Sequence, residues 1–184
     1  MNTHVIVLNG ASSVGKSSTA KALQEIATAQ FLHVRMDAFL EMLPAAMFGH
    51  ADGYIFETVQ DQGKPSVVIR TGPVMERTLR GMRHAIAAMA AQGNNLIVDD
   101  VMFDGVEQRA YRELLAPFET HFVGLFAPLG VIEARERERG DRAIGLARWQ
   151  YDRVHGGLTY DLEIDTTVAT PAECAEQIKA AFGL

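Results

Sequence analysis

The stretch LNGASSVGKSSTA, residues 8–20, follows an apolar run and opens an amphipathic pattern. Gly10 and Gly15 stand five apart with Lys16 and Ser17 directly after them, which fits the P-loop pattern G-x-x-x-x-G-K-[ST]. The spacing has a chemical reason. A strand ends at Asn9, and the chain must then wrap a phosphate with its own N–H groups. Two glycines permit the backbone angles and the close approach that this requires. The loop runs into a helix start, where unpaired N–H groups and the helix dipole favour an anion. Gly10, Ala11, Ser12, Ser13, Val14, Gly15, Lys16, Ser17 and Ser18 are therefore expected to hold a nucleoside triphosphate. Lys16 would reach the outer phosphates and the Ser17 hydroxyl would take a place on Mg²⁺.

Around this loop, short apolar runs alternate with helical patterns, the signature of an α/β fold with a parallel sheet and crossover helices. Strands are expected over 4–9, 31–35, 95–99, 121–126 and 161–165, giving a five-stranded sheet. Helices are expected over 16–29, 74–91, 106–116, 129–139, 143–154 and 171–182. The last would open on Pro171, a favoured first helical residue, with Thr170 as its cap. Residues 44–72, with Gly49, Gly53, Gly63 and Pro65, read as an irregular insertion over the sheet edge, and residues 39–80 as the segment covering the substrate.

The 184 residues suffice for a single domain over 1–184 with a real core. The apolar runs are far shorter than the roughly 20 residues a membrane-spanning helix needs, so no membrane partner is expected. The N-terminus lacks the basic start and cleavage site of a signal peptide, and one cysteine, Cys174, permits no internal disulfide, so a cytoplasmic protein is expected. A net charge of −6 argues against a nucleic-acid binder. Monomer and homo-oligomer both fit the sequence.

Ligands of open α/β sheets bind beyond the carboxyl ends of the strands, and acidic residues occur there twice. HVRMDAF puts Asp37 just after the second strand, and NLIVDDVMF ends the third with Asp99 and Asp100. Two readings fit Asp37: a general base for an acceptor hydroxyl, or an N-cap on the short helix that follows. For the aspartate pair, one carboxylate would orient the Mg²⁺ shell and the other would serve as a strand-end cap or a partner for arginine. Strand alternation turns the two to opposite faces and does not say which is which.

Five arginines fall between Arg135 and Arg148. The segment EARERERGDR reads as a solvated helix with i,i+4 pairs, Glu133 with Arg137 and Glu138 with Arg142. It also reads as a lid over about 129–142. Arg135, Arg139 and Arg142 share one face if the helix continues past Gly140, and would fold their forked donors over a triphosphate. The six histidines show no metal-ligand spacing.

Taken together, LNGASSVGKSS, Asp37 with FLEMLP, LIVDDVMF, RERERGDR and YDLEIDTT resemble the chloramphenicol phosphotransferase family, in order and roughly in spacing over most of the chain. The resemblance implies a P-loop kinase of the nucleoside- and shikimate-kinase architecture. It implies ATP on the loop and Mg²⁺ beside it, with a small-molecule alcohol as acceptor. Asp37 falls on the family's base, and Arg139 and Arg142 on its lid arginines. Thr166 and Thr167 fall where related kinases pass adenine. Residues 57–72 depart from the family pattern, so the reaction is carried over more firmly than the antibiotic itself. The rival readings are a kinase of the same fold acting on a nucleoside or other metabolite alcohol, and a non-catalytic nucleotide-binding regulatory module.

Overall fold

The computed structural model describes residues 3–140 and 143–184. Five parallel strands form the central sheet: β1 (His4–Asn9), β2 (Phe31–Arg35), β5 (Asn95–Asp99), β6 (Glu119–Phe126) and β7 (Leu162–Asp165), in the order β2-β5-β1-β6-β7. Helices α1 (Lys16–Ile26), α2 (Met36–Leu40), α3 (Pro73–Ala91), α4 (Gly105–Leu114), α5 (Leu129–Arg139), α6 (Leu146–Tyr151) and α7 (Pro171–Phe182) connect and flank it.

The period-two alternation of β1 and β5 sorts the core into two faces. Ile6, Leu8 and Ile97 pack with Leu23 of α1 and Ile178 of α7. Val5, Val7, Leu96 and Val98 pack with Met82 and Ile86 of α3 and Tyr111 of α4. Both faces are covered, which is why these strands read as continuous apolar runs. On α1 the buried Lys16, Thr19, Ala20 and Leu23 repeat at three- and four-residue intervals, so Lys16 sits at the head of the core-facing stripe. The central strand β1 pairs with β5 on one side and β6 on the other. Its outgoing loop thus emerges between two strand ends, at the switch point where such sheets bind ligands.

α7 opens as expected, on Pro171 with a Thr170–Glu173 capping box. α1 is shorter than the expected 16–29, because Ala27 is already extended after Ile26. The helix expected over 143–154 is confined to Leu146–Tyr151. The largest difference lies in 44–72. Instead of an irregular insertion, it contains an antiparallel hairpin, β3 (Tyr54–Asp61) with β4 (Lys64–Thr71), joined through Gln62 and Gly63, both left-handed. Two positive-φ residues between the strands make the tight hairpin turn whose twist matches the strand pair. The hairpin forms its own two-stranded sheet and bonds to the start of α6 through Val67 N to Gly145 O at 2.9 Å.

Candidate active site

The loop from Gly10 to Gly15 turns tightly against the end of β6. A Cβ on Gly10 would lie 2.7 Å from Leu125 O and 2.8 Å from Val14 Cγ1, so only glycine fits. Gly15 precedes α1 with φ at +112°, left-handed backbone that side-chain-bearing residues rarely adopt. Ser13 is left-handed as well, and among the described residues its buried Oγ has no hydrogen-bond partner. A buried hydroxyl without a partner is costly unless a ligand completes it. Lys16 is buried and its Nζ bonds Gly10 O at 2.7 Å and Ala11 O at 3.2 Å, holding an ammonium inside the turn.

Asp99 lies on the α1 face of β5, and its Oδ2 accepts the Ser17 hydroxyl at 2.5 Å. His33 Nε2 of the neighbouring strand stands 3.6 Å from the same oxygen, beyond hydrogen-bond reach. Burial works to raise the Asp99 carboxyl. The His33 ring, the Lys16 ammonium and the Ser17 hydroxyl outweigh it and hold the group below its ordinary value. Asp100 turns to the opposite face, where Oδ2 accepts from Tyr111 Oη at 2.7 Å and Oδ1 from Val101 N at 2.7 Å. The structure does not bring Asp100 to the loop. Its burial raises the carboxyl, against the hydrogen bonds from Tyr111 and Val101 and the charge of Arg83.

Asp37 is the second residue of α2, and Arg35 holds the cap position with no side-chain cap bond. The N-cap alternative for Asp37 is thereby set aside. Asp37 lines a cleft of about 740 Å³ that also takes in Ser12 to Thr19, Asp99, Arg135 and Arg139. Leu40 of α2, Phe48, Tyr54, Phe56 and Ile69 also line it, an aromatic and apolar wall beside the charged Arg35 and Glu41. Tyr54 meets Phe48 at 5.0 Å and Phe56 edge-on at 4.9 Å between ring centres, and both phenylalanines are about half exposed. The pattern in 44–72 gave no sign of this wall, because its rings come together only when the hairpin closes.

The arginine segment departs from the salt-bridged helix. Glu133 faces inward and pairs with Arg148 Nη2 at 2.5 Å and Lys64 Nζ at 3.3 Å; among the described residues it has no pair with Arg137. α5 ends at Arg139, because Gly140 is a left-handed cap. Arg142 and the Glu138–Arg142 pairing lie outside the described residues. Arg135 bonds Thr166 O at 2.6 Å, Thr166 Oγ1 at 3.2 Å and Val14 O at 3.4 Å, clamping the loop to the end of β7. Thr166 is itself buried and donates to Val14 O at 2.8 Å. Asp165 Oδ1 accepts the main-chain N–H of Thr167 at 2.7 Å, at the exposed end of β7.

Sequence reasoning missed His33 beside Asp99, the aromatic wall, and Gln150, whose Oε1 accepts Ser12 N at 2.6 Å. The Gln150 contact spans 138 residues, and no local pattern announces it.

Among the described residues no cluster of three or more His, Cys, Asp or Glu could hold a metal, and no helix is long and apolar enough to cross a membrane. Solved structures share the architecture. A sugar kinase from Janibacter superposes with a TM-score of 0.69 at 18% identity, over 100% of this chain and 95% of that one. The Mycobacterium tuberculosis APS kinase, in complex with AMPPNP and APS, gives 0.68 at 15% identity, over 100% and 99%. The Deinococcus radiodurans tunicamycin resistance protein gives 0.65 at 21% identity, over 99% and 96%. These likenesses show a P-loop kinase fold. A Mycobacterium tuberculosis protein assigned as an O-phosphotransferase is 30% identical over 97% of this chain and 81% of its own length. The chloramphenicol phosphotransferase-like protein family matches residues 3–183. With the match running over nearly the whole length, the chain belongs to that family and is a phosphotransferase.

Proposed function

We propose that this chain transfers the γ-phosphoryl group of ATP to the hydroxyl of a small neutral alcohol with a flat apolar part, and that chloramphenicol is the first acceptor to try. One observation carries the reading: Asp37 lines the same cleft as the P-loop, and Phe48, Tyr54 and Phe56 line that cleft as well. A hydroxyl held between the two would lie between a phosphate site and a carboxylate.

The acceptor oxygen attacks the γ-phosphorus while the bond to the β-phosphate oxygen breaks. The hydroxyl proton goes to Asp37 and the bonding pair leaves with ADP. Lys16 stabilises charge on the transferring group from inside the loop, and Arg139 adds a forked donor from the end of α5. Arg142 keeps its family role as a second lid arginine. Arg135, bonded to both the loop and Thr166, shapes the nucleotide end.

Mg²⁺ suits the residues here. It takes oxygen ligands and needs only one or two carboxylates beside phosphates and water, which the Ser17 hydroxyl and the Asp99 carboxylate supply. When bound it would draw charge from the phosphate oxygens. Two of the basic residues near the wall are already paired elsewhere, Lys64 with Glu133 at 3.3 Å and Arg70 with Glu57 at 2.9 Å, which favours a neutral acceptor over an anionic one.

The test is ADP release from Mg²⁺-ATP with and without chloramphenicol, on wild type and Asp37→Asn side by side. The expected result is strong stimulation in wild type and a loss of roughly 10² to 10⁴ in the variant, the usual worth of a general base, with nucleotide affinity kept. No stimulation demotes the antibiotic, and a panel of neutral alcohols and nucleosides follows. A collapse of nucleotide affinity in Asp37→Asn would make Asp37 a structural residue.

A further inference from the structure

Gln150 ties α6 to the phosphate loop. It is 3% exposed, lines the cleft, and accepts the main-chain N–H of Ser12 at 2.6 Å through Oε1. A loop donor of the kind that elsewhere cradles phosphate is here taken by a side chain.

That bond fixes the rest of the carboxamide. An N–H must meet an oxygen, so the Nε2 end points away from Ser12. Among the described residues Nε2 makes no hydrogen bond, and it is not sealed inside the protein, so its two N–H donors remain open. The helix that carries it is firmly held. Glu136, buried in α5, accepts Gly145 N and Ala147 N at 2.8 Å each. Arg148 of α6 pairs with Glu133 at 2.5 Å, and Val67 of the hairpin bonds Gly145 O at 2.9 Å.

The position within the loop says which phosphate these donors face. Gly15 to Ser18 open α1, and their N–H groups belong to the inner phosphates. Ser12 lies on the other arm, which leaves β1. The Lys16 ammonium, the group that serves the outer phosphates, already sits on that arm at Gly10 O and Ala11 O.

We infer that Gln150 contacts the substrate, with Oε1 bracing Ser12 and Nε2 donating to an oxygen of the outermost phosphate of the bound triphosphate. It acts as a γ-phosphate sensor set on the helix where lid and hairpin meet. This rests on the nucleotide reading of the function proposed above.

The test compares binding of AMPPNP and ADP, each with Mg²⁺, by calorimetry on the full chain, with melting temperature as a check on folding. Gln150→Glu keeps an acceptor for Ser12 and exchanges the donors for an oxygen. It should lose AMPPNP affinity by roughly tenfold or more, the worth of one charged hydrogen bond, and hold ADP within about threefold. Gln150→Met keeps the length and removes both bonds; it should weaken both nucleotides while still lowering the preference for AMPPNP over ADP. It carries the test if the glutamate variant does not fold. An unchanged preference in both variants overturns the inference and leaves Gln150 as a brace for Ser12. Wild-type protein that bound neither nucleotide would sink the proposed function and this inference together. Binding of both, with a preference that Gln150 variants leave alone, sinks only the inference.

Discussion

Asp99 and Asp100 are consecutive residues at one strand end, and they meet opposite surroundings. Asp99 faces α1, where Ser17, Lys16 and His33 surround it and hold its carboxyl low. Asp100 faces α3 and α4, where burial raises its carboxyl and Tyr111 and Val101 take up its two oxygens. The same face carries Glu107, whose Oε2 accepts Phe103 N at 2.8 Å and whose Oε1 stands 3.8 Å from Arg83. One face therefore keeps a carboxylate ionised beside a hydroxyl, two oxygen groups of the kind a hard cation takes. The other turns its acids into internal hydrogen-bond partners. Chemistry and packing are separated by a single peptide unit.

The sharpest way to break this comparison is Asp99→Asn. If Asp99 orients the Mg²⁺ shell, the Mg²⁺ concentration giving half-maximal phosphoryl transfer should rise by about 10 to 100-fold, as for lost supporting contacts to a metal. The melting temperature should barely move. A variant with an unchanged Mg²⁺ titration would make the Ser17 bond a packing contact and erase the difference between the faces.

Much of the nucleotide end was legible in the sequence because it is local. Gly10, Gly15, Lys16 and Ser17 lie within eight residues, and their spacing is dictated by a loop that wraps a phosphate. The period of two also required Asp99 and Asp100 to part. It could not assign them, because the assignment depends on which helices cover which face, and that follows from β5 lying between β1 and β2. The hairpin was hidden for a different reason. Phe56 and Val59 are 46% and 37% exposed, so β3 lacks a buried face to impose clean alternation, and Pro65 and Gly63 read as loop. The inward turn of Glu133 was masked by its neighbours. Amid arginines it looked like a solvated residue, and only the fold brings Arg148 and Lys64 to it.

A smaller effect is expected from Glu107, which burial pushes up from 4.5 to about 7, against the Phe103 N–H and the charge of Arg83. A raised carboxyl binds its proton more tightly in the folded than in the unfolded state. The contribution of Glu107 to stability is therefore fully present at acid pH and is lost as pH rises from about 4.5 through about 7. A displacement of this size corresponds to at most about 3 kcal/mol. Glu107→Gln removes the ionisation and keeps a carbonyl for Phe103 N. Its melting temperature should exceed that of wild type by several degrees at pH 8 and match it at pH 5, with phosphoryl transfer retained. A gain that is equal at both pH values would show that the charge is not the cause.

The smallest expected effect belongs to Tyr111→Phe. The hydroxyl donates to Asp100 Oδ2 at 2.7 Å inside the core, and removing it leaves that oxygen buried with one partner fewer. The cost should be about 1–2 kcal/mol, which for a chain of this length lowers the melting temperature by roughly 2 to 8 °C. The ring remains to fill the space, so no cavity opens. Transfer rate and Mg²⁺ titration should match wild type once the protein is kept below its transition. A loss of transfer with the melting temperature intact would mean that Asp100 communicates with the loop through β5. The two faces would then form one machine, and Asp100 would have to be counted with Asp99.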